Sequence, residues 1–451
     1  MRLRRIAVAA VSALTVVSAA GPGYAMQPPQ VLIGAPLPDG PPGPELPTEQ
    51  DQGCLATGVL PQTDLTQVPQ PEQMLNLKQA RTLSRGAGVT VAVIDTGVTP
   101  DTRLPHLIGG GDYVTVGGNG LSDCDAHGTL VAGIIGAAPS TVDGFTGVAP
   151  DAQILSIRYR SSAFDPKYPP NTDQSFQVAL QIRTLARAIT HAANLGAGVI
   201  VVPSPICESA GSQVDQSMLA AAVGYAVHTR GAVVVAGAGS ISGNCEQNPD
   251  IDPTRPSDPR NWRDVKTVAT PDCFGSDVLS VGYTTQAGVP VSNSMLGPWV
   301  SLGAPGTGIE SLGPGGPNLI NGVAAGNQLT AVGGADFAAA YVAGTAALLR
   351  SRFPDESPDD IITRLLDSAH APAGGVDDAV GAGIIDPVAA LGYRAPPRPP
   401  AGIDRAGTLA VPPPPRPADP RPGLVALAVI AVMVLLGAGV SGVDAVIRRR
   451  G

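Results

Sequence analysis

The chain has 451 residues, of which 43% are apolar and 14% charged, so it can form one large domain with appendages. Its formal net charge is −9 and no basic stripe is present, which argues against a nucleic-acid partner. Aromatic residues make up only 4%, whereas 56 glycines and 46 prolines predict tight turns and extended linkers.

The N-terminal segment, residues 1–25, has a basic start, an apolar run and a small-residue end at Ala25. This pattern is typical of a secretory signal peptide, and an uncleaved membrane anchor is the alternative. Residues 26–75 form a proline-rich extension. We expect its first half to wrap the surface of the following domain or to stay mobile.

The body, residues 76–395, alternates strand-like and helix-like segments, which predicts an α/β fold with a mostly parallel sheet covered by helices. Strands are predicted over 88–95, 152–159, 197–203 and 232–239, and helices over 127–137, 181–196 and 216–231. A further alanine-rich helix follows the glycine pair 333–334, and Asp336 at its start is expected to cap it.

Two side chains, one at the end of a predicted strand and one at the start of a predicted helix, suggest part of a nucleophilic catalytic site. Asp95 ends the first buried strand, and the carboxyl ends of parallel strands are where functional groups collect. His127 opens the next helix, so the acid could orient an imidazole that accepts a proton from a nucleophile. From spacing alone, a turn residue and a helix-start residue are an equally good interpretation.

The C-terminal region predicts a membrane tether. Residues 396–422 are too rich in proline to bury a core and predict an extended polyproline linker. Residues 423–443 carry no lysine or arginine and are long enough to cross a bilayer, although a buried core helix is the alternative. The basic tail, residues 444–451, predicts a cytoplasmic C-terminus.

Several ordered motifs resemble the subtilisin-like serine proteases: VAVIDTGV, HGTLVAGII, GVAPDAQILSIR and FAAAYVAGTAALLR. The segments CEQNPDIDP, DPRNW and GPWVSLGAPGTGI are similar to the mycosins, membrane-anchored members associated with type VII secretion in actinobacteria. The resemblance runs from about Cys54 to Tyr393. It implies a subtilisin-like three-layer fold, with one C-terminal transmembrane helix.

The resemblance carries the orienting acid onto Asp95 and the general base onto His127. The family's nucleophile motif is Gly-Thr-Ser-(Phe or Met)-Ala-Ala-Pro, but residues 334–340 of this chain read GADFAAA. Asp336 therefore stands in the place of the serine, and Ala340 stands in the place of the proline. A carboxylate is a poor nucleophile toward an amide, so proteolysis by the serine mechanism is not expected.

Two further departures affect the handling of a peptide. The family's oxyanion asparagine is replaced by Ser240 in VVVAGAGS, and Asn244, four residues on, is not taken as its substitute. The edge of the substrate cleft, INIS in mycosins, reads IVVP over 200–203. The prediction is a pseudoprotease that acts as a structural or docking component of a type VII secretion system. The alternative is an active endopeptidase that processes secreted substrates.

Five cysteines in a secreted chain predict disulfides and one remaining thiol. The resemblance to mycosins implies that Cys54 pairs with Cys124 and Cys207 with Cys245, which leaves Cys273 free.

The motifs imply no cofactor and no resident metal. A metal held by Asp95, His127 and Asp336, or an aspartic-protease dyad, is a weaker alternative.

The implied location is the cell membrane, with a single span, an extracytoplasmic body and a cytoplasmic C-terminus. The implied partners are proteins of the type VII secretion membrane complex, and a polypeptide ligand is possible.

Overall fold

The computed structural model of the chain describes Met26 and residues 28–168, 173–212 and 214–393. Its helices, in chain order, are α1 (Gln70–Met74), α2 (Leu77–Leu83), α3 (His127–Gly136), α4 (Gln174–Asn194), α5 (Ser217–Gly224), α6 (Ala335–Arg352), α7 (Pro358–Asp367) and α8 (Pro387–Gly392). Its strands are β1 (Thr48–Gln50), β2 (Thr57–Gly58), β3 (Thr90–Asp95), β4 (Leu107–Asp112), β5 (Gln153–Arg158), β6 (Phe164–Pro166), β7 (Val199–Val202), β8 (Ile206–Ser209), β9 (Val233–Gly237), β10 (Thr267–Thr270), β11 (Val278–Thr284), β12 (Val300–Pro305), β13 (Ser311–Gly313), β14 (Gly316–Ile320), β15 (Gly322–Ala325) and β16 (Gln328–Ala331).

The main sheet has seven strands in the order β12-β11-β9-β7-β3-β5-β4. Every neighbouring pair in it is parallel, which confirms the predicted parallel sheet. Its central strands β7 and β9 are buried along their whole length, as expected for β-branched runs covered on both faces. This arrangement brings the carboxyl ends of β3, β7 and β9 to one edge.

Helices cover both faces of the sheet, so the fold has three layers. On one face Val91 and Val93 of β3 share a hydrophobic core with side chains of α3 and α6. On the other face Ala92 and Ile94 share a second core with side chains of α4 and α5. The alternation along β3 is the period of two that a strand imposes on its side chains.

The helix boundaries differ from the predicted ones in two places. Helix α4 begins at Gln174 rather than at residue 181, because the carboxylate of Asp173 accepts the N–H of Ser175 at 3.0 Å and caps its first turn. The helix predicted over 216–231 is α-helical only as α5, and it continues as a π-helical turn over Tyr225–Thr229.

The described part of the N-terminal extension follows the surface of the body, as the first of the two expectations for it, wrapping rather than mobility, stated. Leu32 donates its N–H to the carbonyl of Ala220 at 3.1 Å, and Glu45 accepts from Arg187 at 2.6 Å. Farther along, β1 pairs with β6 and β2 pairs with β15. The extension therefore completes two small antiparallel sheets that lie outside the main one.

Between Met26 and Tyr393, the part of the chain that the structure describes, no helix is long and apolar enough to cross a membrane. Four predicted segments lie outside the described residues: the signal peptide at 1–25, the linker at 396–422, the span at 423–443 and the tail at 444–451.

Candidate active site

Asp95 is the last residue of β3, at the carboxyl edge of the main sheet. Its side chain is only 1% exposed, so it is a buried acid that needs a charged or hydrogen-bonding partner. Its Oδ2 atom is 2.6 Å from Nδ1 of His127. The structure therefore places Asp95 and His127 in one site, which their spacing in the sequence alone could not decide.

Close backbone packing sets the position of His127 at the start of α3. A Cβ atom on Gly128 would collide with the carbonyl oxygen of Gly97, so only glycine lets α3 approach the turn after β3. The N–H of Gly128 donates to Oγ1 of Thr96 at 2.9 Å. Buried Asp123 accepts from the N–H of Thr129 at 2.9 Å, which anchors the same helical turn.

Asp336 does not cap its helix, so that prediction is wrong. The N-cap of α6 is Gly334, whose φ of 141° suits glycine, and no side chain caps the helix. Asp336 lies in the first turn, where the helix dipole favours a negative charge. Its Oδ2 atom is 3.2 Å from Nε2 of His127, so the carboxylate faces the second ring nitrogen instead of the helix amides.

His127 is thus held between two carboxylates. Burial of the ring favours the neutral imidazole, but the charge of Asp95 and the hydrogen bond to Asp336 outweigh it. Together they raise the pKa of His127 to about 10. At neutral pH the imidazole is therefore protonated and has no lone pair free to accept a proton.

Two residues near this group were missed by sequence reasoning. The Nη2 atom of Arg160 is 3.9 Å from Oδ1 of Asp95, which has no hydrogen-bond partner among the described residues. Asp272 is fully buried, and burial, aided by the negative charge of Asp336, raises its pKa to about 7. Arg160 follows β5, the neighbour of β3, so its position after a strand end is a signal that could have found it.

Ser240 lies beside the start of α6. A Cβ atom on Gly334 would be 3.2 Å from its Oγ atom, which places Ser240 next to the turn that leads to Asp336. Asn244 is exposed in the turn closed by the bridge between Ser242 and Cys245.

The predicted cleft edge follows β7. Val202 pairs with Ala236 of β9, so Pro203 comes directly after the strand pair that leads to Ser240. Pro205 follows two residues later, and neither proline has a backbone N–H.

The cysteines are arranged as the resemblance implied. Cys54 is bonded to Cys124, three residues before His127, and Cys207 is bonded to Cys245, five residues after Ser240. Cys273 is a buried free thiol, and burial raises its pKa to about 12.

The chemistry open to this arrangement is limited by the residue types in it. Asp95 can orient His127, but the atom facing Nε2 is a carboxylate oxygen where acyl transfer by a serine mechanism needs a hydroxyl. Among the described residues, no group of three or more His, Cys, Asp or Glu side chains is placed to hold a metal ion.

Known proteins are similar to this chain in sequence and in fold. The model of the subtilase family matches residues 86–383. Mycosin-1 of Mycolicibacterium smegmatis is 44% identical over 450 residues, covering 99% of this chain and 99% of its own. Mycosin-1 of Mycobacterium tuberculosis is 46% identical over 426 residues, covering 93% of this chain and 94% of its own.

Solved structures agree with these sequence matches. The crystal structure of MycP1 from Mycobacterium smegmatis superimposes with a TM-score of 0.80 at 46% identity, covering 83% of this chain and 97% of that one. A chain in the structure of an intact ESX-5 inner membrane complex gives a TM-score of 0.79 at 46% identity, covering 93% and 100%. The chain therefore belongs to the subtilase family and, within it, to the mycosins.

Proposed function

We propose that this mycosin is a pseudoprotease that serves as a structural or docking component of a type VII secretion membrane complex. The observation that carries the proposal is the pairing of Asp336 with His127 at 3.2 Å. In this interpretation Asp95 and His127 are the remaining catalytic pair, and Asp336 occupies the seat of the nucleophile.

Three groups that acyl transfer needs, the nucleophile, the general base and the oxyanion donor, are absent or altered in this site. The attacking hydroxyl is absent, and loss of the nucleophile in a related triad removes roughly 10⁶ in rate. The protonated His127 cannot act as a general base. Ser240 offers a shorter donor than asparagine at the oxyanion position, and loss of one such donor typically costs about 10²–10³ in rate. The charge of Asp336 would also repel the developing oxyanion.

The cleft edge supports the same conclusion. An extended peptide binds at a strand edge through main-chain N–H and C=O groups. Pro203 and Pro205 follow β7 and supply no N–H groups at this edge. A substrate strand would therefore lose main-chain hydrogen bonds where it must be held for cleavage.

Relatives supply the argument for a docking role. A similar chain is part of an intact ESX-5 inner membrane complex, and another is part of the periplasmic assembly of that complex. In this chain the hydrophobic core is continuous and both disulfides are formed, although in our interpretation Asp336 occupies the seat of the nucleophile. A retained fold with an altered site is what a docking component requires.

The proposed topology follows from the sequence. Residues 1–25 direct export, residues 76–395 form the extracytoplasmic body, residues 396–422 are a spacer, residues 423–443 span the membrane and residues 444–451 lie in the cytoplasm. External protease should release a soluble body from intact membranes. Recovery of the intact chain in the soluble fraction, without membrane association, would contradict this topology.

Affinity purification of the full-length chain from detergent-solubilised membranes tests the docking role. We expect secretion-complex proteins to co-purify with the wild type and equally with Asp336→Ala, because the proposed role does not use the carboxylate. Recovery of the chain without those proteins would refute the proposal. Loss of the proteins in Asp336→Ala alone would show that the altered site itself is needed for assembly.

A further inference from the structure

Arg160 approaches Asp95 from the neighbouring strand of the main sheet. Strands β3 and β5 are parallel, and Asp95 lies opposite Arg158, the last residue of β5. The N–H of Tyr159 donates to the carbonyl of Asp95 at 2.9 Å, so the chain that leaves β5 stays attached to the end of β3. Arg160 comes next, and its guanidinium lies with Nη2 3.9 Å from Oδ1 of Asp95.

The two carboxylate oxygens of Asp95 have different surroundings. Oδ2 is 2.6 Å from Nδ1 of His127, whereas Oδ1 has no hydrogen-bond partner among the described residues. The side chain of Asp95 is only 1% exposed, so water compensates little of its charge. Within the described part of the chain, His127 and Arg160 are the only cationic side chains within 4.0 Å of this carboxylate. Arg160 therefore supplies the positive charge on the side of Oδ1.

The surroundings of Arg160 leave it available for this role. Its side chain is 40% exposed, and its guanidinium carbon lies 5.7 Å from the centre of the Tyr159 ring. The charge of Asp125 also acts on Arg160. Asp125, however, accepts from Oγ of Ser161 at 2.6 Å and from the N–H of Ser162 at 2.7 Å, so that carboxylate has partners of its own.

Arg160, Asp95, His127 and Asp336 form a row in which positive and negative charges alternate. The three separations along the row are 3.9, 2.6 and 3.2 Å. At neutral pH the charges of the row sum to zero, because two cations face two carboxylates. Without Arg160 the row would hold one uncompensated negative charge, since Asp336 adds a charge that a serine hydroxyl would not.

We propose that Arg160 is a positioning residue of this site, which balances the charge added by Asp336 and keeps Oδ2 of Asp95 directed at His127. The inference goes beyond the docking function and does not depend on it, because it concerns how the row of charges is held in the folded chain. Among the described residues, Arg160 forms no ion pair with Asp336 within 4.0 Å. It therefore acts on Asp336 across the row, over a distance at which charges still interact.

Unfolding of the full-length chain by urea tests the balance of charge. Arg160→Met removes the charge and keeps an apolar stem of similar length. At pH 6 its urea midpoint should fall below that of the wild type, and the fall should be smaller when the change is made in Asp336→Asn, because the amide adds no negative charge. A residue that only packs against Tyr159 would lower the midpoint equally in both backgrounds. Equal falls would overturn the inference.

Arg183→Met is the matched control. Arg183 belongs to α4, its side chain is 58% exposed, and its Nε atom is 3.1 Å from Oε2 of Glu45. This change removes the same charge from the same chain, but its effect on the urea midpoint should not depend on Asp336. If the control also has a smaller effect in Asp336→Asn, the coupling reflects the net charge of the whole chain, and the inference is overturned.

NMR titration of His127 separates positioning from packing. In Asp336→Asn, adding Arg160→Met should raise the pKa of His127 by about one unit, because the charge of Asp95 then acts on the ring unopposed. Adding Arg160→Lys retains the positive charge and should leave the pKa close to that of Asp336→Asn alone. A pKa that stays the same with Arg160→Met, or that rises equally with Arg160→Lys, would overturn the inference.

The folding of the variants is itself informative. If Arg160→Met folds only in the Asp336→Asn background, the result supports the inference, because neutralising Asp336 restores the balance of charge. If Arg160→Met folds in neither background, the inference is overturned, because Asp95 and His127 alone are already balanced once residue 336 is neutral.

Discussion

Replacing Asp336 with asparagine removes one charge from its pair with His127 and keeps the size of the side chain. Oδ2 of Asp336 is 3.2 Å from Nε2 of His127. For unit charges at this separation Coulomb's law gives about 5 kcal/mol at an effective dielectric constant of 20 and about 1 kcal/mol in water. The side chains of His127 and Asp336 are 20% and 24% exposed, so we expect the substitution to remove an interaction free energy between these limits, about 2 kcal/mol. The pKa of His127 should fall from about 10 toward its ordinary range, held above it by Asp95.

NMR titration of the chain labelled with ¹⁵N-histidine measures this pKa directly. The chain contains five histidines, and a His127→Gln variant assigns the signal. Asp277→Asn is the matched control, because Asp277 pairs with His228 at 2.5 Å and should leave the His127 titration unchanged. A wild-type His127 that loses its proton near neutral pH, or an unchanged titration in Asp336→Asn, would refute the reasoning.

The same pair makes stability depend on pH. Because folding raises the pKa of His127 from about 6.5 to about 10, the stabilisation is complete below the unfolded value and is lost as the pH rises through 10. Asp336→Asn should therefore be less stable than the wild type in urea at pH 6, and the difference should narrow toward pH 10. A difference that grows with pH would contradict the assigned charges.

Two further predictions concern stability. Replacing Cys54 and Cys124 together by serine should lower the free energy of unfolding by about 4 kcal/mol, and replacing Cys207 and Cys245 should cost slightly less, because their separations are 70 and 38 residues; equal stability of either variant and the wild type in urea would contradict this. Burial raises the pKa of Asp272 to about 7, so its ionised form destabilises the fold. Asp272→Asn should therefore have a higher free energy of unfolding than the wild type at pH 8, and the increase should be smaller at pH 5. An increase found only at low pH would show that the surrounding residues stabilise the carboxylate.

Four of the seven strands of the main sheet could be predicted from sequence, because they are continuous apolar runs with helices between them. Such runs mark strands buried on both faces, and β3, β5, β7 and β9 lie within the predicted ranges. The small antiparallel sheets could not be predicted in this way. β2 pairs with β15 across more than 260 residues, and nothing in either short segment specifies the other.

The site was only partly readable from sequence. The motifs identified Asp95, His127 and Asp336, but the capping role expected of Asp336 was wrong, because Gly334 begins the helix and the carboxylate contacts His127. The position of Arg160 after the end of β5 marks it as a candidate, but its contact with Asp95 depends on how the chain leaves the two neighbouring strands, which a local pattern does not specify.

The central claim is that Asp336 ends proteolysis by the serine mechanism. Peptide cleavage and fluorophosphonate labelling of the purified full-length chain test it most directly. The wild type should show neither, and Asp336→Ser alone should restore little. Adding Ser240→Asn should restore more than either change alone, because nucleophile and oxyanion donor act in one transition state. Robust cleavage by the wild type that Asp336→Ala abolishes would contradict the account and require a carboxylate mechanism.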